Sequence, residues 1–450
     1  MDIFPSVPAR SSSENTRYQY DQNPYPEIPV DQLLIFKAQS LLLAKCNLIT
    51  PYYLRNRVIP DLNKCQILDV GCGSGWKTIA LAIANPGAQI LGIDFSSVSI
   101  AMANDRCRAH NLTDRVQFQC LSLEALQEID RQFDMINCDE ILYLIQDPLL
   151  CLQLCQGLLK PDGVIRGNFH SLRQRQNFYQ MQEFLREIGI FHESSEQSDI
   201  DLAHEVFHEL KPNVILKQRL SSPKSNEEVR MNWMLQGDRG FTIPQVFRLL
   251  EASNLEYIQM LDWPSWQVLE LFDRAQDLQN SANILDFLLM GIAEADLETQ
   301  LNLYDLLNPV HRLIDFWCGH PVDLTNIPAS PEDWTPEQYQ KTIVSWHPLL
   351  LDESIVKQFE EDLQNLNPFK VSEVLPIVSN QVIIQPHICA CLLPLFEGQK
   401  TLYSLIDRYF RLYPINPFNN KPNTHIEVLN CLLPSLLALE KFTYILLTTL

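Results

Sequence analysis

The segment from Ile67 to Gly75 reads ILDVGCGSG, so an apolar strand runs directly into a turn with glycines at alternate positions. A second apolar segment, AQILGID, ends at Asp94. Glycines let a backbone approach a ligand without interference from a Cβ atom. A carboxylate at the end of the next strand can accept hydrogen bonds from two ribose hydroxyls. Together, the turn and the acid predict a site for a ligand that contains adenosine.

Three ligand classes compete for this turn, and Trp76 decides among them. A phosphate-binding P-loop needs a glycine at position 76, and a dinucleotide fingerprint with glycines at 71 and 73 needs one there too. An indole at that place disfavours both readings. The pattern D-x-G-x-G-x-G at 69–75 resembles instead the first motif of the class I S-adenosylmethionine-dependent methyltransferases. Their cofactor carries no phosphate, so the turn has only to accommodate its methionine part.

Short apolar strands alternate with helical segments from residue 65 to 170, beginning with CQILDV, WKTIALAIA, AQILGI and SVSIAMANDRCRAHN. Such alternation is typical of a parallel sheet that binds ligands outside the carboxyl ends of its strands. We therefore expect an α/β domain with a Rossmann-like, doubly wound, mostly parallel sheet. The resemblance sets the expected number of strands at seven.

Residues 61–170 look like a bacterial class I methyltransferase throughout, in ILDVGCGSG, GIDFS, FDMINCDEILYLIQDP and LLKPDG. The resemblance implies S-adenosyl-L-methionine as cofactor. It implies that the glycines line the methionine part, that Asp69 faces the ammonium and that Asp94 holds the ribose. Phe95 would lie against the adenine. Family members usually have an acid after the third strand, and this chain has Ser122 there, with Glu124 nearby. The implied cofactor residues are Asp69, Gly71, Gly73, Gly75, Asp94, Phe95, Ser122 and Asp139.

The flanks suggest how the rest of the chain is organised. YQYDQNPYPEIP at 18–29 and FTIPQVFRLLEASNLEYIQMLDW at 241–263 resemble the flanks of the methyltransferase domain in one bacterial group. We expect residues 1–60 to form a segment and helix over the cofactor, with Tyr20 or Tyr25 close to it. The methyltransferase domain is expected at 61–270, with a helical insertion at 171–240. A helical linker at 271–345 and a mainly helical α+β regulatory or substrate-presenting domain at 346–450 would follow. LLPLFEGQKTLYSLI in the latter resembles a winged-helix-like module.

Methyl transfer by in-line displacement requires the protein to align the nucleophile and shield it from water. An acceptor with a protonated oxygen or nitrogen also needs a base at the carboxyl edge of the sheet. His170 is the first candidate because its pKa lies near neutrality, and Asp139 is the second. Tyr143 and Tyr25 are candidates for the acceptor pocket. No residue pattern identifies the acceptor beyond a small molecule or a peptide.

Composition restricts the partners. A net charge of −21, from 55 acidic and 34 basic residues, disfavours nucleic acid as a partner. The twelve cysteines show neither a disulfide framework nor zinc spacing, so we expect reduced thiols and no metal. The N-terminal residues contain no apolar run. The apolar run near the C-terminus is interrupted by Pro434, Glu440 and Lys441. We therefore expect a cytoplasmic protein with no membrane span, and a homodimer through the C-terminal region stays open.

Two other functions fit the same residues. One is a degenerate methyltransferase fold that serves as a binding or scaffold protein, which Ser122 favours. The other is a Rossmann-type enzyme with a nicotinamide cofactor, which the missing third glycine disfavours.

Overall fold

The computed structural model describes Asp21 and residues 24–192, 195–273, 284–322, 329–415 and 420–449. Its largest element is a sheet of eight strands. The strands are Gln66–Val70 (β1), Gln89–Asp94 (β2), Val116–Cys120 (β3), Phe133–Cys138 (β4), Leu159–Ser171 (β5), Gly240–Phe241 (β6), Glu256–Met260 (β7) and Leu313–Gly319 (β8).

The strand order is β3-β2-β1-β4-β5-β8-β7, and the two-residue β6 pairs with β5 off this path. Neighbours from β3 to β5 pair in parallel, while β8 is antiparallel to both β5 and β7. The mostly parallel sheet predicted from the sequence is confirmed, with seven strands along the main path. The order of the strands reverses beside β1, and ligands of open α/β sheets bind at such a switch point.

Helices connect the parallel strands, and their ends follow local sequence signals. Ser96 accepts a hydrogen bond from the amide of Ser99 and so caps one of them. Asp147 caps another, which has Pro148 at its first position. The helices up to β8 are Phe36–Cys46 (α1), Ile49–Asn56 (α2), Trp76–Ala84 (α3), Ser97–Ala109 (α4), Pro148–Leu158 (α5), Gln176–Glu187 (α6), Gln197–Glu209 (α7), Ile215–Arg219 (α8), Asn226–Asn232 (α9), Ile243–Ala252 (α10), Ile284–Glu294 (α11) and Leu297–Leu307 (α12).

Strand β8 differs from the prediction of a helical linker at 271–345, because it lies inside the main sheet between β5 and β7. Helix α12 ends at Leu307, shortly before Pro309. A proline disfavours continuation of a helix because it removes a backbone hydrogen bond, and a short apolar run such as LIDFW does not distinguish a strand from a helix. Asp315 of β8 forms an ion pair with the buried Arg166 of β5 at 3.0 Å, and this contact links β8 to β5.

The C-terminal region contains a second, antiparallel sheet of order β10-β9-β11. Its strands are Thr342–Trp346 (β9), Lys400–Thr401 (β10) and Ile445–Thr449 (β11), and its helices are Pro336–Gln340 (α13), Glu353–Gln364 (α14), Val371–Val374 (α15), Pro386–Leu392 (α16), Leu402–Leu412 (α17) and His425–Glu440 (α18). The apolar segment LPIVSNQVII adds no strand to this sheet and contributes only the isolated bridge of Ile384 with Phe369. Among the helices that the structure describes, none is long and apolar enough to cross a membrane.

Buried polar contacts join the C-terminal region to α2. The hydroxyl of Tyr53 lies 2.9 Å from the carboxylate of Glu440 and 3.0 Å from the carbonyl oxygen of Leu447. Arg57 forms an ion pair with the same carboxylate at 2.5 Å. Buried polar groups are costly unless they are paired, so these contacts hold the two regions in one arrangement. One hydrophobic core accordingly includes side chains of both.

Candidate functional site

A cavity of about 1020 Å³ lies at the carboxyl ends of β1, β2 and β4. The residues that follow these three strands form one side of it. The helical insertion and the N-terminal segment contribute to the remaining wall. Of the residues predicted from the sequence, the cavity is lined by Tyr25, Asp69, Gly71, Gly73, Asp94, Phe95, Ser122, Asp139 and Tyr143.

The glycine turn is closely packed, and its glycines have positive φ angles. A Cβ atom on Gly71 would lie 2.5 Å from Cγ2 of Ile141. One on Gly73, at φ +52°, would lie 2.5 Å from the carbonyl oxygen of Tyr25. The nearest obstacle to a side chain at Gly73 is therefore the N-terminal segment.

Gly75 does not line the cavity, in contrast to the prediction. It lies at the start of α3 with φ +82°, and a Cβ atom there would lie 2.8 Å from Cβ of Ala103. The third glycine of the motif therefore allows α3 and α4 to pack closely, while the first two face the cavity.

The N-terminal segment lies on the glycine turn. The amide of Ser74 donates to the carbonyl of Tyr25 at 2.9 Å, and the Ser74 hydroxyl donates to the carbonyl of Pro26 at 3.0 Å. The buried Arg106 donates to the carbonyl oxygens of Ile28 and Pro29 at 2.7 and 3.0 Å. Residues 24–29 are thereby fixed beside the cavity, and Tyr25 and Pro26 line it. Tyr20 lies outside the described residues.

Asp94 is buried where β2 ends and organises the turn beside it. One carboxylate oxygen accepts from the amide of Gly73 at 3.0 Å, and the other accepts from the amide of Ser96 at 2.9 Å. Burial raises the pKa of this carboxyl group, and the two amides oppose the shift. An ionised carboxylate has about four acceptor positions, so both oxygens retain capacity for hydroxyl donors from the cavity.

Asp69 is also buried, at the end of β1. Its oxygens accept from the hydroxyl of Thr78 at 2.6 Å and from the amide of Asn137 at 2.7 Å. Burial raises the pKa of Asp69 to about 6, although both hydrogen bonds act in the opposite direction. None of the described cations lies within ion-pair distance of Asp69, since Lys77 pairs with Asp139, so a ligand ammonium group would stabilise the buried carboxylate.

Asp139 lines the cavity, but its surroundings contradict a role as base. Lys77 contacts one oxygen at 2.7 Å, and Asn168 and Arg166 contact the other at 2.6 and 3.2 Å. Burial alone would raise the pKa of Asp139, but the two cations outweigh it, and the pKa is lowered. A carboxylate held ionised by two cations is a poor proton acceptor.

His170 does not line the cavity, and both of its ring nitrogens have partners. Nδ1 lies 2.6 Å from Asp238, and Nε2 lies 3.0 Å from Arg312, which can only donate. The ring is buried and stacks on Tyr143 with centroids 3.6 Å apart. Burial lowers the pKa of His170. His170 therefore packs behind Tyr143 in the cavity wall. This position does not support a role for His170 as the base.

Glu140 and Tyr143 form the part of the wall that His170 supports. The Tyr143 hydroxyl donates to Glu140 at 2.5 Å, and Arg312 pairs with the same carboxylate. Burial opposes ionisation of Glu140, but Arg312 outweighs it and lowers the pKa. On the opposite side of the turn, Phe95 is half-buried and Ser122 is exposed.

Besides Glu124, six charged residues of the cavity were not among the site residues predicted from the sequence, and two of them, Glu140 and Asp147, follow β4. Lys77 follows the glycine turn, while Arg186, Asp238 and Arg239 belong to the helical insertion or its end. The insertion carries no recognisable motif. Lys77 belongs to the Lys-Thr pair of GCGSGWKT, which matches the end of a P-loop pattern apart from Trp76.

Three buried thiols lie together outside the cavity. The sulfur atoms of Cys138, Cys151 and Cys155 are all within 4.8 Å of one another. They belong to the main hydrophobic core, where free cysteines commonly serve as small apolar residues. All twelve cysteines are free thiols. The absence of a metal from the function stays a prediction.

Comparison with known proteins identifies the family of this domain. A methyltransferase domain model matches residues 61–222. An uncharacterised protein of Synechococcus sp. is 30% identical over 290 residues, which cover 61% of this chain and 64% of that protein. The ubiquinone biosynthesis O-methyltransferase of Neisseria meningitidis is 34% identical over 107 residues, covering 23% of this chain and 44% of the enzyme. The chain thus spans less than two thirds of the length of either relative.

The structure of PKMT2 from Rickettsia typhi has the same fold over much of the chain. It aligns with a TM-score of 0.57 at 17% identity, over 89% of this chain and 75% of that protein. PKMT2 has also been solved in complex with AdoHcy, and that complex aligns with a TM-score of 0.55. The sheet order, the glycine turn, the acid that ends β2 and the matched domain agree: the chain contains a class I S-adenosylmethionine-dependent methyltransferase domain.

Proposed function

We propose that the protein transfers a methyl group from S-adenosyl-L-methionine to a small-molecule or peptide acceptor within the cavity at the carboxyl edge of the sheet. One observation carries the proposal. The glycine turn, the buried carboxylate of Asp94 and the buried carboxylate of Asp69 face the same cavity, and this donor and acceptor set fits the cofactor. When bound, the cofactor supplies an electrophilic methyl group on a sulfonium.

In this proposal, each residue of the glycine-turn side has a defined task. Asp94 accepts hydrogen bonds from the ribose hydroxyls while the amides of Gly73 and Ser96 hold its oxygens in place. Asp69 faces the ammonium of the methionine part. Phe95 would pack against the adenine, and Ser122 would take the place of the acid that family members use for the adenine amino group. We carry these roles over from the family pattern, and the cavity geometry supports them.

The acceptor belongs on the β4 side of the cavity, beside Tyr25, Glu140 and Tyr143. A cavity of about 1020 Å³ is slightly larger than the roughly 300–1,000 Å³ that sites for a single small molecule occupy. That space supports two ligands side by side. Glu140, held ionised by Arg312, can accept a hydrogen bond from a hydroxyl or amine acceptor and orient it. The aromatic rings exclude water from the methyl group.

Calorimetry distinguishes the proposal from the nicotinamide alternative. We expect binding of S-adenosylmethionine and S-adenosylhomocysteine and none of NAD, since Trp76 occupies the position of the third dinucleotide glycine and is buried under Arg106. Binding of NAD without binding of either sulfur compound would overturn the assignment. A scaffold protein would bind the cofactor or nothing, and would add no methyl group to any acceptor in mass spectrometry of candidate substrates.

Asp69 makes cofactor binding dependent on pH. The bound ammonium favours the ionised carboxylate, whose pKa in the free protein is about 6. Affinity should therefore be full above this value and fall as the pH drops through it, by up to about tenfold per pH unit. Calorimetry with S-adenosylhomocysteine below about pH 7.5 keeps the ligand amine protonated. The Asp69→Asn variant should bind more weakly and lose this pH dependence. A wild-type affinity that is constant across pH 6 would contradict the ammonium contact.

A further inference from the structure

Two arginines of the cavity differ from the other described cations in and around it. Arg186 of α6 and Arg239, just before β6, both line the cavity. Lys77 pairs with Asp139, and the cations behind the wall pair with Glu140 and Asp238. Among the described residues, neither Arg186 nor Arg239 has a carboxylate within ion-pair distance.

The side-chain contacts of the two guanidinium groups leave donors available. Arg239 donates to the carbonyl oxygens of Ile145 and Gln146 and lies 5.8 Å from the ring centroid of Phe241. Arg186 lies 4.3 Å from the ring centroid of Phe191 and donates to Gln182 only at 3.5 Å. Each guanidinium has five N–H donors, so these contacts position the groups without using all of their capacity.

Two of the acids near these arginines, Asp238 and Asp147, have other partners, while Glu183 of α6 acts on Arg186 from beyond ion-pair distance. Asp238 is fully buried and accepts from His170, Arg175 and Gln182 at 2.6–3.0 Å. Asp147 lines the cavity and accepts from the amide of Leu150 at the start of α5. In a chain with a net charge of −21, two cations without a carboxylate partner make this part of the cavity locally attractive to anions.

We propose that Arg186 and Arg239 form an anion subsite and that the methyl acceptor carries a phosphate or carboxylate group that binds there. This inference rests on the proposed function, because it takes the cavity to be the site of methyl transfer. The anionic group binds at the insertion side, and the nucleophile of the same molecule points toward Glu140 and Tyr143. Arginine suits both anions because its planar guanidinium group can donate two parallel hydrogen bonds to two oxygens of the anion.

The subsite can be tested before the acceptor is known, with phenyl phosphate, benzoate and uncharged benzyl alcohol as probes. Each probe is titrated into the full-length protein saturated with S-adenosylhomocysteine, at constant ionic strength, and followed by saturation-transfer NMR. We expect at least one anion to bind about tenfold or more tightly than benzyl alcohol. The anion that binds more tightly, phenyl phosphate or benzoate, indicates whether the acceptor carries a phosphate or a carboxylate.

The variants Arg186→Gln, Arg239→Gln and their combination should weaken anion binding, by about tenfold or more in the double variant. Affinity for S-adenosylhomocysteine should stay unchanged, which shows that the cavity is intact. Arg219→Gln removes the same charge from an exposed position outside the cavity and should bind the anions as the wild type does.

Three results would overturn the subsite: no saturable binding of either anion, full binding by the double variant, or an equal loss in Arg219→Gln. If the wild type fails to bind S-adenosylhomocysteine, the proposed function fails instead. The same anion titration on the free protein then still decides whether the two arginines bind anions.

Discussion

Replacing Asp94 by alanine should weaken the binding of S-adenosylhomocysteine by about 1.5–3 kcal/mol, the scale of hydrogen bonds to a charged group. This corresponds to a roughly 10- to 150-fold higher Kd in calorimetry. The variant loses the acceptor for the ribose hydroxyls and also the partner of the amides of Gly73 and Ser96. Both losses act on the same part of the cofactor site.

The Asp94→Asn variant separates the two contributions, because it keeps one oxygen and nearly the same shape. We expect an intermediate affinity and a thermal unfolding curve close to that of the wild type. An Asp94→Ala protein that is folded by circular dichroism and binds with unchanged affinity would refute the assignment of Asp94 to the ribose.

Introducing valine at Gly73 should disturb both stability and binding. The residue has a φ of +52°, and its Cβ atom would lie 2.5 Å from the carbonyl oxygen of Tyr25. Strained backbone positions cost about 1–3 kcal/mol each, and a β-branched side chain adds to the collision. We expect the free energy of unfolding to fall by at least about this amount in denaturant titrations. Cofactor affinity should fall as well, because residues 24–29 must move away from the turn.

Gly157→Val serves as the matched control, since a Cβ atom at Gly157 would meet no heavy atom within 4 Å. It should unfold and bind much as the wild type does. Normal stability and binding in Gly73→Val would mean that the N-terminal segment can leave the turn without cost. The segment would then have no part in the cofactor site.

The cofactor side of the cavity could be predicted because its residues stand at fixed spacings within one strand–turn–helix unit and at the end of the next strand. Such local patterns determine where Gly71, Gly73 and Asp94 lie before any long-range contact is known. Gly75 belongs to the same pattern but has a different role. Its lack of a side chain allows α3 to pack against Ala103.

The acceptor side could not be predicted in the same way. His170 stands at the correct strand end, but Arg312, which precedes β8, and Asp238, at the end of the insertion, occupy both nitrogens of its ring. These partners lie 142 and 68 residues away along the chain. No local sequence pattern relates His170 to these two partners. Because residues 271–345 were predicted to form a helical linker, the strand β8 that brings Arg312 to the sheet was not predicted.

The crystal structure of the complex with S-adenosylhomocysteine tests the central claim most directly. We expect the ribose hydroxyls within hydrogen-bond distance of Asp94, the ammonium beside Asp69, and the sulfur directed toward the side of the cavity formed by Tyr25, Glu140 and Tyr143. The space between the sulfur and Arg186 should remain open for the acceptor. A ligand bound outside this cavity, or one whose ribose makes no contact with Asp94, would contradict the account.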